Sequence, residues 1–357
     1  MPIHSSALRF CLLMIGTCLA PVVSAHSGNA QDVAILPATL IDASIAVGIG
    51  CLFWIAAAWV AVRRKKPAAT GAAFFAALSA VLISVSWHID VWIIASLFFS
   101  AWLYAAGISR LWRDGKHGAG IGISQVVYFC IGIAVLIVAV LSPVDPLGED
   151  LFAMHMVQHE LMMLVAAPLL VVGRPLAAFI WAFPQAGRRR IGRVINLSGI
   201  RKTWHLLNQP ITAWSLHSII LWAWHFPALF QAGLANETIH TVQHVSFLLS
   251  ALLFWSSLVG PAARLRSGSG ILYLLTSAIH TGMLGALLTF SPRAWYPAYA
   301  GKTERWGLTL LEDQQLGGLI MWVPAGFVLI FAALLLTARL LSPEQGRAKS
   351  ALSHPSS

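Results

Sequence analysis

Two pairs of histidines share a spacing that suits metal binding. His155 and His159 stand four residues apart, and His240 and His244 repeat that spacing. On a helix, side chains at this spacing project from one face with Cβ atoms about 5–6 Å apart. Neutral imidazoles placed in this way can hold one metal ion, as they do in helical zinc motifs. Each pair is therefore a candidate half of a metal site.

Other imidazoles and thioethers are expected near these pairs. His225 and His280 lie in other apolar segments, toward the same predicted membrane face. Met163 follows His159 by four residues and Met283 follows His280 by three, so each thioether shares a helical face with an imidazole. This ligand mixture suits Cu(I) better than zinc or magnesium. We predict copper, as Cu(I), as the bound cofactor.

Carboxylate and amide groups are expected to support the ligands. Glu312, Asp313 and Gln314 stand together where the last apolar segment begins. Such groups can accept the outer N–H of a ligand imidazole and so orient the ring. Hydrolysis is not predicted, because no glutamate separates paired histidines as in H-E-x-x-H, and Glu160 falls just outside that slot. We predict no catalytic residue and no enzyme.

The elements that position these residues are transmembrane helices. The chain has 357 residues, of which 58% are hydrophobic and 10% charged, whereas soluble domains have about 25% charged residues. A helix of about 20 apolar residues crosses a hydrocarbon core of about 30 Å. The sequence predicts an all-α, polytopic bundle of nine helices, over 39–62, 68–87, 91–111, 119–141, 150–172, 209–231, 237–259, 269–290 and 312–340.

The chain divides into four predicted parts. Residues 1–25 have an apolar run before Val23-Ser24-Ala25, which is typical of a cleavable signal peptide. Residues 26–90 form an N-terminal extension with two transmembrane helices, 91–341 a seven-helix core, and 342–357 a cytoplasmic tail. Cleavage would make His26 the N-terminus, and its role and that of His88 are left open.

The placement of the charged residues predicts the orientation of the protein in the membrane. The basic residues concentrate in alternate loops and in the tail, so those loops are expected inside, and Arg293, Lys302 and Arg305 are expected outside. We expect a multi-pass protein of the bacterial plasma membrane with the mature N-terminus outside and the C-terminus cytoplasmic. The net charge of +10 is then a topology signal and not a nucleic-acid surface. The arginine-rich loop over 173–208 is interpreted as facing membrane lipid.

Several ordered motifs carry a family resemblance. They are HMVQH at 155–159, APLL at 167–170, WHFPALF at 224–230, HTVQH at 240–244, LGALLTF at 284–290, YPAY at 296–299, LEDQQ at 311–315 and IMWVP at 320–324. Over about 91–341 the chain resembles the CtaG-type (caa3-type) cytochrome c oxidase assembly factors. The resemblance implies a seven-helix core, a haem-copper oxidase subunit as partner, and support of copper delivery to it. A periplasmic copper chaperone is a second candidate partner.

Two other functions stay open on the sequence alone. One histidine from each helix could hold a haem, which would make the protein a cytochrome b-like redox protein. Outer histidines and methionines could instead load a copper permease, although polar groups become sparse toward the inner ends of the helices.

Overall fold

The computed structural model describes residues 91–114, 120–259, 263, 265 and 267–341. The predicted signal peptide, the extension with His26 and His88, and the tail lie outside these residues.

The described chain is all-helical, as predicted, and those residues contain no β-strand. In a bilayer core a helix satisfies its own backbone hydrogen bonds, and these apolar segments can therefore cross it. The helices are α1 (Val91–Asp114), α2 (Ile123–Leu141), α3 (Val144–Asp150), α4 (Phe152–Glu160), α5 (Ala167–Gly173), α6 (Pro175–Trp181), α7 (Gln185–Ile195), α8 (Ser198–Leu207), α9 (Pro210–His225), α10 (Pro227–Ala235), α11 (Glu237–Ser256), α12 (Ser267–Thr289) and α13 (Leu310–Leu341). A π-helical turn, Leu161–Ala166, joins α4 to α5.

Six stretches of the described chain are long and apolar enough to cross a membrane. They are Ile93–Asp114, Ile123–Asp150, Phe152–Gly173, Glu237–Ser256, Gly268–Thr289 and Leu310–Ala338. The pair α9 and α10 makes a seventh if it is counted as one broken span. These positions match the segments predicted for the core.

The segment predicted as one helix over 209–231 is broken. Helices α9 and α10 meet at an angle of 74°. Phe226, between them, has an extended backbone with φ −67° and ψ 127°, and Pro227 begins α10. Proline lacks an N–H and disfavours a helical conformation in the residue before it, so α9 ends at His225.

The helix that carries the first histidine pair lies in the middle of the bundle. Helix α4 packs against α3 and α13, and α5 packs against α2 and α11. Side chains of α4 and of the π-helical turn after it contribute to two apolar cores. Met156 and Met163 belong to one, with residues of α9 and α11 to α13, and Met162 belongs to the other, with residues of α1 and α2. Both cores fix the position of this helix.

The long connection between α5 and α9 is also helical. It consists of α6, α7 and α8, and the last two have no buried residue. They carry cationic residues together with exposed apolar ones, among them Val194 and Trp204. This pattern is consistent with the lipid-facing interpretation of 173–208.

Candidate metal centre

The two histidine pairs face each other across α4 and α11. The ring centroids of His155 and His159 are 4.4 Å apart, and those of His240 and His244 are 4.1 Å apart. Between the helices, the His155 ring lies 5.4 Å from that of His240 and 5.9 Å from that of His244. The His159 and His244 rings are 5.4 Å apart. The four imidazoles form one cluster, called here the histidine cluster.

Three of the four side chains come close to the geometry of a metal site. One nitrogen each of His155, His240 and His244 lies within 4.8 Å of the others. Nitrogens bound to one ion by bonds of about 2 Å lie at most about 4 Å apart. Small side-chain rotations would bring all three onto one ion.

The cluster lacks hydrogen-bond partners where an ion would bind. Five ring nitrogens of the cluster are buried and have no hydrogen-bond partner among the described residues. They are Nε2 of His155, His240 and His244 and both nitrogens of His159. Each buried polar atom without a partner costs about 1–3 kcal/mol. A metal ion would satisfy the lone pair that each neutral ring carries.

Asp313 holds the helix that carries the first pair. Its carboxylate accepts hydrogen bonds from the backbone N–H of Phe152 at 2.6 Å and of Ala153 at 3.0 Å. The first amides of a helix have no acceptor within the helix, so Asp313 caps the N-terminus of α4. The sequence suggested contact with an imidazole, whereas the carboxylate supports His155 through the backbone.

Gln158 holds the same helix from the other side. It lies between His155 and His159 in the chain, and its Nε2 donates to the carbonyl of Ala139 at 2.9 Å and to Asp145 Oδ1 at 2.6 Å. Together with the Asp313 cap, this contact fixes where α4 presents its ligands.

The other two predicted supporting residues lie further from the ligands. Glu312 is exposed, and its Oε2 accepts from the N–H and the hydroxyl of Thr309 at 2.8 Å each, so it caps α13. Gln314 is buried, accepts from the N–H of Trp295 at 2.5 Å and donates to the carbonyl of Arg293 at 3.3 Å. It therefore anchors the connection between α12 and α13.

Two tyrosines of that connection pack beside the cluster. Tyr296 donates its O–H to the carbonyl of His225 at 2.9 Å, and Tyr299 donates to the carbonyl of Gly148 at 3.0 Å. Burial raises the pKa of both phenols, which keeps them protonated as donors. The Gly148 backbone also bonds to the His155 ring, so the loop, α3 and the ligands form one network.

His225 ends α9 beside the cluster and meets a thioether. Its Nδ1 lies 2.7 Å from the carbonyl of Leu221, and its Nε2 lies 3.5 Å from the Sδ atom of Met156. The His225 and His159 rings are 6.3 Å apart. Met156 was not among the predicted site residues, although its position three residues before His159 places it on that histidine's face.

His280 and Met283 lie elsewhere on α12. The Nε2 of His280 is 2.9 Å from the hydroxyl of Ser218, and its ring packs edge-on against Trp214 at 5.3 Å. Ser218 is seven residues before His225, which is about 10 Å along α9. Met283 is 52% exposed, which suits a lipid-facing side chain.

Two further residues lie at or beside the π-helical turn. Met163 is buried in the larger apolar core, and its carbonyl accepts from the indole of Trp255 at 2.9 Å. The Oε2 atom of Glu160 is buried and has no hydrogen-bond partner among the described residues.

Fold and site together define a polytopic membrane protein with an imidazole-rich cluster buried at one end of its helix bundle. Residues 102–342 match the family described as cytochrome c oxidase caa3 assembly factor, and the chain belongs to this family. It is 28% identical over 249 residues to the uncharacterized protein Mb0105 of Mycobacterium bovis and, equally, to the uncharacterized protein MT0111 of Mycobacterium tuberculosis. Each match covers 66% of this chain and 36% of the relative, so the chain spans about a third of the relatives' length. No solved structure matches the chain.

Proposed function

We propose that this protein supports assembly of a haem-copper cytochrome c oxidase by binding Cu(I) in the histidine cluster and supplying it to an oxidase subunit. Family membership supports the assembly role. The observation that supports the metal role is the group of nitrogens of His155, His240 and His244 within 4.8 Å of one another. Their buried lone pairs favour a cation at this point.

The donor set favours Cu(I) over a divalent ion. The three-nitrogen group contains only neutral ligands, so the site would take up the full charge of the ion it binds. The desolvation cost of a buried ion rises with the square of its charge, which favours a monovalent ion. Thioether ligands select Cu(I) as well, and Met156 is the thioether at hand.

We place the cluster on the outer side of the plasma membrane. Helices α4, α11 and α13 begin at the cluster end, whereas α6 to α8 follow the opposite end of α5. The cations of α7 and α8 favour an inner position for that opposite end. They are Arg188, Arg189, Arg190, Arg193, Arg201 and Lys202. A periplasmic copper donor and the oxidase subunit would then both reach the cluster.

Copper competition on the purified full chain tests the metal role. Under reducing conditions, Cu(I) is titrated against a chromophoric Cu(I) chelator. We expect the variant with both His155→Ala and His159→Ala to lose at least tenfold in affinity. His205→Ala, on exposed α8, is the control and should bind like the wild type. Wild-type protein that takes up no Cu(I) would exclude the metal role.

Complementation tests the assembly role separately. In cells that lack the protein, the wild type should restore oxidase activity and the double-histidine variant should not. Added copper should rescue the double variant if supply is the defect. Full activity with the double variant at low copper would contradict copper delivery.

The haem alternative fits this packing poorly. A bis-histidine haem needs a macrocycle between two facing imidazoles. Here the rings of the cluster contact one another directly, with centroid distances from 4.1 to 5.9 Å. A Soret band in the absorption spectrum of the purified protein would favour haem binding over copper binding.

A further inference from the structure

The pair of Met156 and His225 has the arrangement of a second metal site. The Sδ of Met156 and the Nε2 of His225 are 3.5 Å apart. An ion with a nitrogen bond of about 2.0 Å and a sulfur bond of about 2.3 Å, at an angle near 110°, places its ligands about 3.5 Å apart. Both side chains are buried, at 0% and 2% exposure.

The protonation of the His225 ring makes a cation the fitting partner. Its Nδ1 is 2.7 Å from the carbonyl of Leu221, which can only accept a hydrogen bond. The proton of the neutral ring therefore lies on Nδ1, and Nε2 presents a lone pair. The facing sulfur also presents lone pairs, so no hydrogen bond forms between them. A cation between the two atoms would satisfy both.

His159 lies between this pair and the rest of the cluster. Its ring centroid is 4.4 Å from that of His155, 5.4 Å from that of His244 and 6.3 Å from that of His225. Both its nitrogens are buried and have no partner among the described residues. The neutral ring carries one lone pair, so His159 can bind an ion from either side, but only one ion at a time.

We propose that the protein holds Cu(I) at two successive positions, one on His155, His240 and His244 and a second on Met156 and His225, with His159 available to one ion at a time between them. This inference rests on the proposed Cu(I)-binding function and adds a second site to it. Copper passes between the positions by ligand exchange: each Cu–N bond that breaks is replaced by a bond to His159 and then to the second pair. The ion stays Cu(I), so no electron is transferred, and His159 binds it through the same lone-pair nitrogen throughout, so no proton moves.

Burial indicates which position is loaded first. His240 is only partly buried, whereas His155 and His159 are each 1% exposed. The carboxylates of Glu149 and Glu237 interact electrostatically with His240 and would attract a cation there. Copper therefore enters at His240 and reaches the Met156 position afterwards.

The two positions differ in the oxidation state that they favour. Imidazole ligands suit copper in both oxidation states, whereas a thioether favours Cu(I). The second position would thus retain the reduced ion away from the entrance.

Metal stoichiometry and X-ray absorption of the full chain in detergent test this proposal. Cu(I) alone is the probe. We expect two Cu(I) ions per wild-type chain and a copper–sulfur distance of about 2.3 Å in the absorption spectrum. Met156→Leu should bind one ion and lose the sulfur signal, because leucine keeps the volume and removes the sulfur. Met163→Leu, which changes another buried methionine of the same helix region, should keep both ions and the signal.

The outcomes separate this inference from the proposed function. One ion bound by nitrogen alone in the wild type would overturn the second position and leave the first intact. Two ions and an unchanged sulfur signal in Met156→Leu would also overturn it, as would loss of the signal in Met163→Leu. A wild type that binds no Cu(I) would overturn both proposals.

Discussion

The carboxylate of Asp313 accepts a hydrogen bond from the backbone N–H of Phe152 at 2.6 Å, so the last helix of the bundle holds the first turn of the helix that carries His155 and His159. The two residues are 161 positions apart in the chain. The contact joins α13 to α4 at the level of the candidate metal site. It makes the positions of His155 and His159 depend on a residue outside the histidine cluster.

Replacing Asp313 should therefore weaken both folding and copper binding. Asp313→Ala removes both acceptors of the α4 cap and should lower the stability by about 1–3 kcal/mol. Asp313→Asn keeps one acceptor oxygen and should cost less. Thermal unfolding in detergent and Cu(I) competition measure the two effects. Glu312→Gln, at the exposed neighbour, should change Cu(I) affinity little, and an equal loss there would contradict the capping role.

The close approach of α13 to α4 depends on Gly317. A Cβ atom at this position would overlap the Phe152 ring and lie 3.3 Å from the Cα of Ala153. Gly317→Ala should force the helices apart and cost about 1–3 kcal/mol, with a matching loss of Cu(I) affinity. Gly326→Ala on the same helix is the matched control, since a Cβ there meets nothing within 4 Å. It should be neutral or slightly stabilising in an unfolding assay. Equal losses of stability in both variants would contradict the conclusion that the approach of α13 to α4 depends on Gly317.

Much of this arrangement could be predicted from the sequence, because membrane helices follow from local composition. An apolar run of sufficient length must be helical in lipid, whatever its neighbours. The facing of the two histidine pairs was also predictable, since each pair lies near the end of its helix and intramembrane polar groups seek partners. The structure confirms the all-helical fold.

The remaining features depend on tertiary contacts or on local irregularity. The break at Phe226 had a local signal, Pro227, but a bend of 74° needs the surrounding helices. Met163 was placed on the face of His159 by ideal α-helical spacing, whereas the π-helical turn Leu161–Ala166 changes that spacing. The role of Asp313 could not be predicted, because its partners are backbone amides. Every residue except proline has such an amide, so the sequence does not show which ones Asp313 contacts.

Tyr296 should stabilise the end of α9 only while its phenol is protonated. Tyr296→Phe leaves the buried carbonyl of His225 without this donor and should cost about 1–3 kcal/mol. Burial raises the pKa of Tyr296 above that of the unfolded chain, which is about 10. The stabilisation is therefore fully present below pH 10 and decreases as the pH rises above it. Thermal unfolding from pH 8 to 11 should show a smaller alkaline loss for Tyr296→Phe than for the wild type. Tyr128→Phe, at an exposed tyrosine, should follow the wild-type curve.

The proposed orientation can be tested by thiol labelling of intact cells. Glu304 is exposed in the connection between α12 and α13, and Gly192 is partly exposed on α7, at the other end of the bundle. A Cβ at Gly192 meets nothing within 4 Å, so a side chain fits there without strain. If the histidine cluster lies outside, Glu304→Cys should react with a membrane-impermeant maleimide in whole cells, and Gly192→Cys should react only after the cells are opened. Cys130, the free cysteine within the described chain, is buried, so we expect it not to react with the maleimide. The reverse labelling pattern would place the cluster in the cytoplasm, where the copper source and the receiving surface of the oxidase would both have to be different.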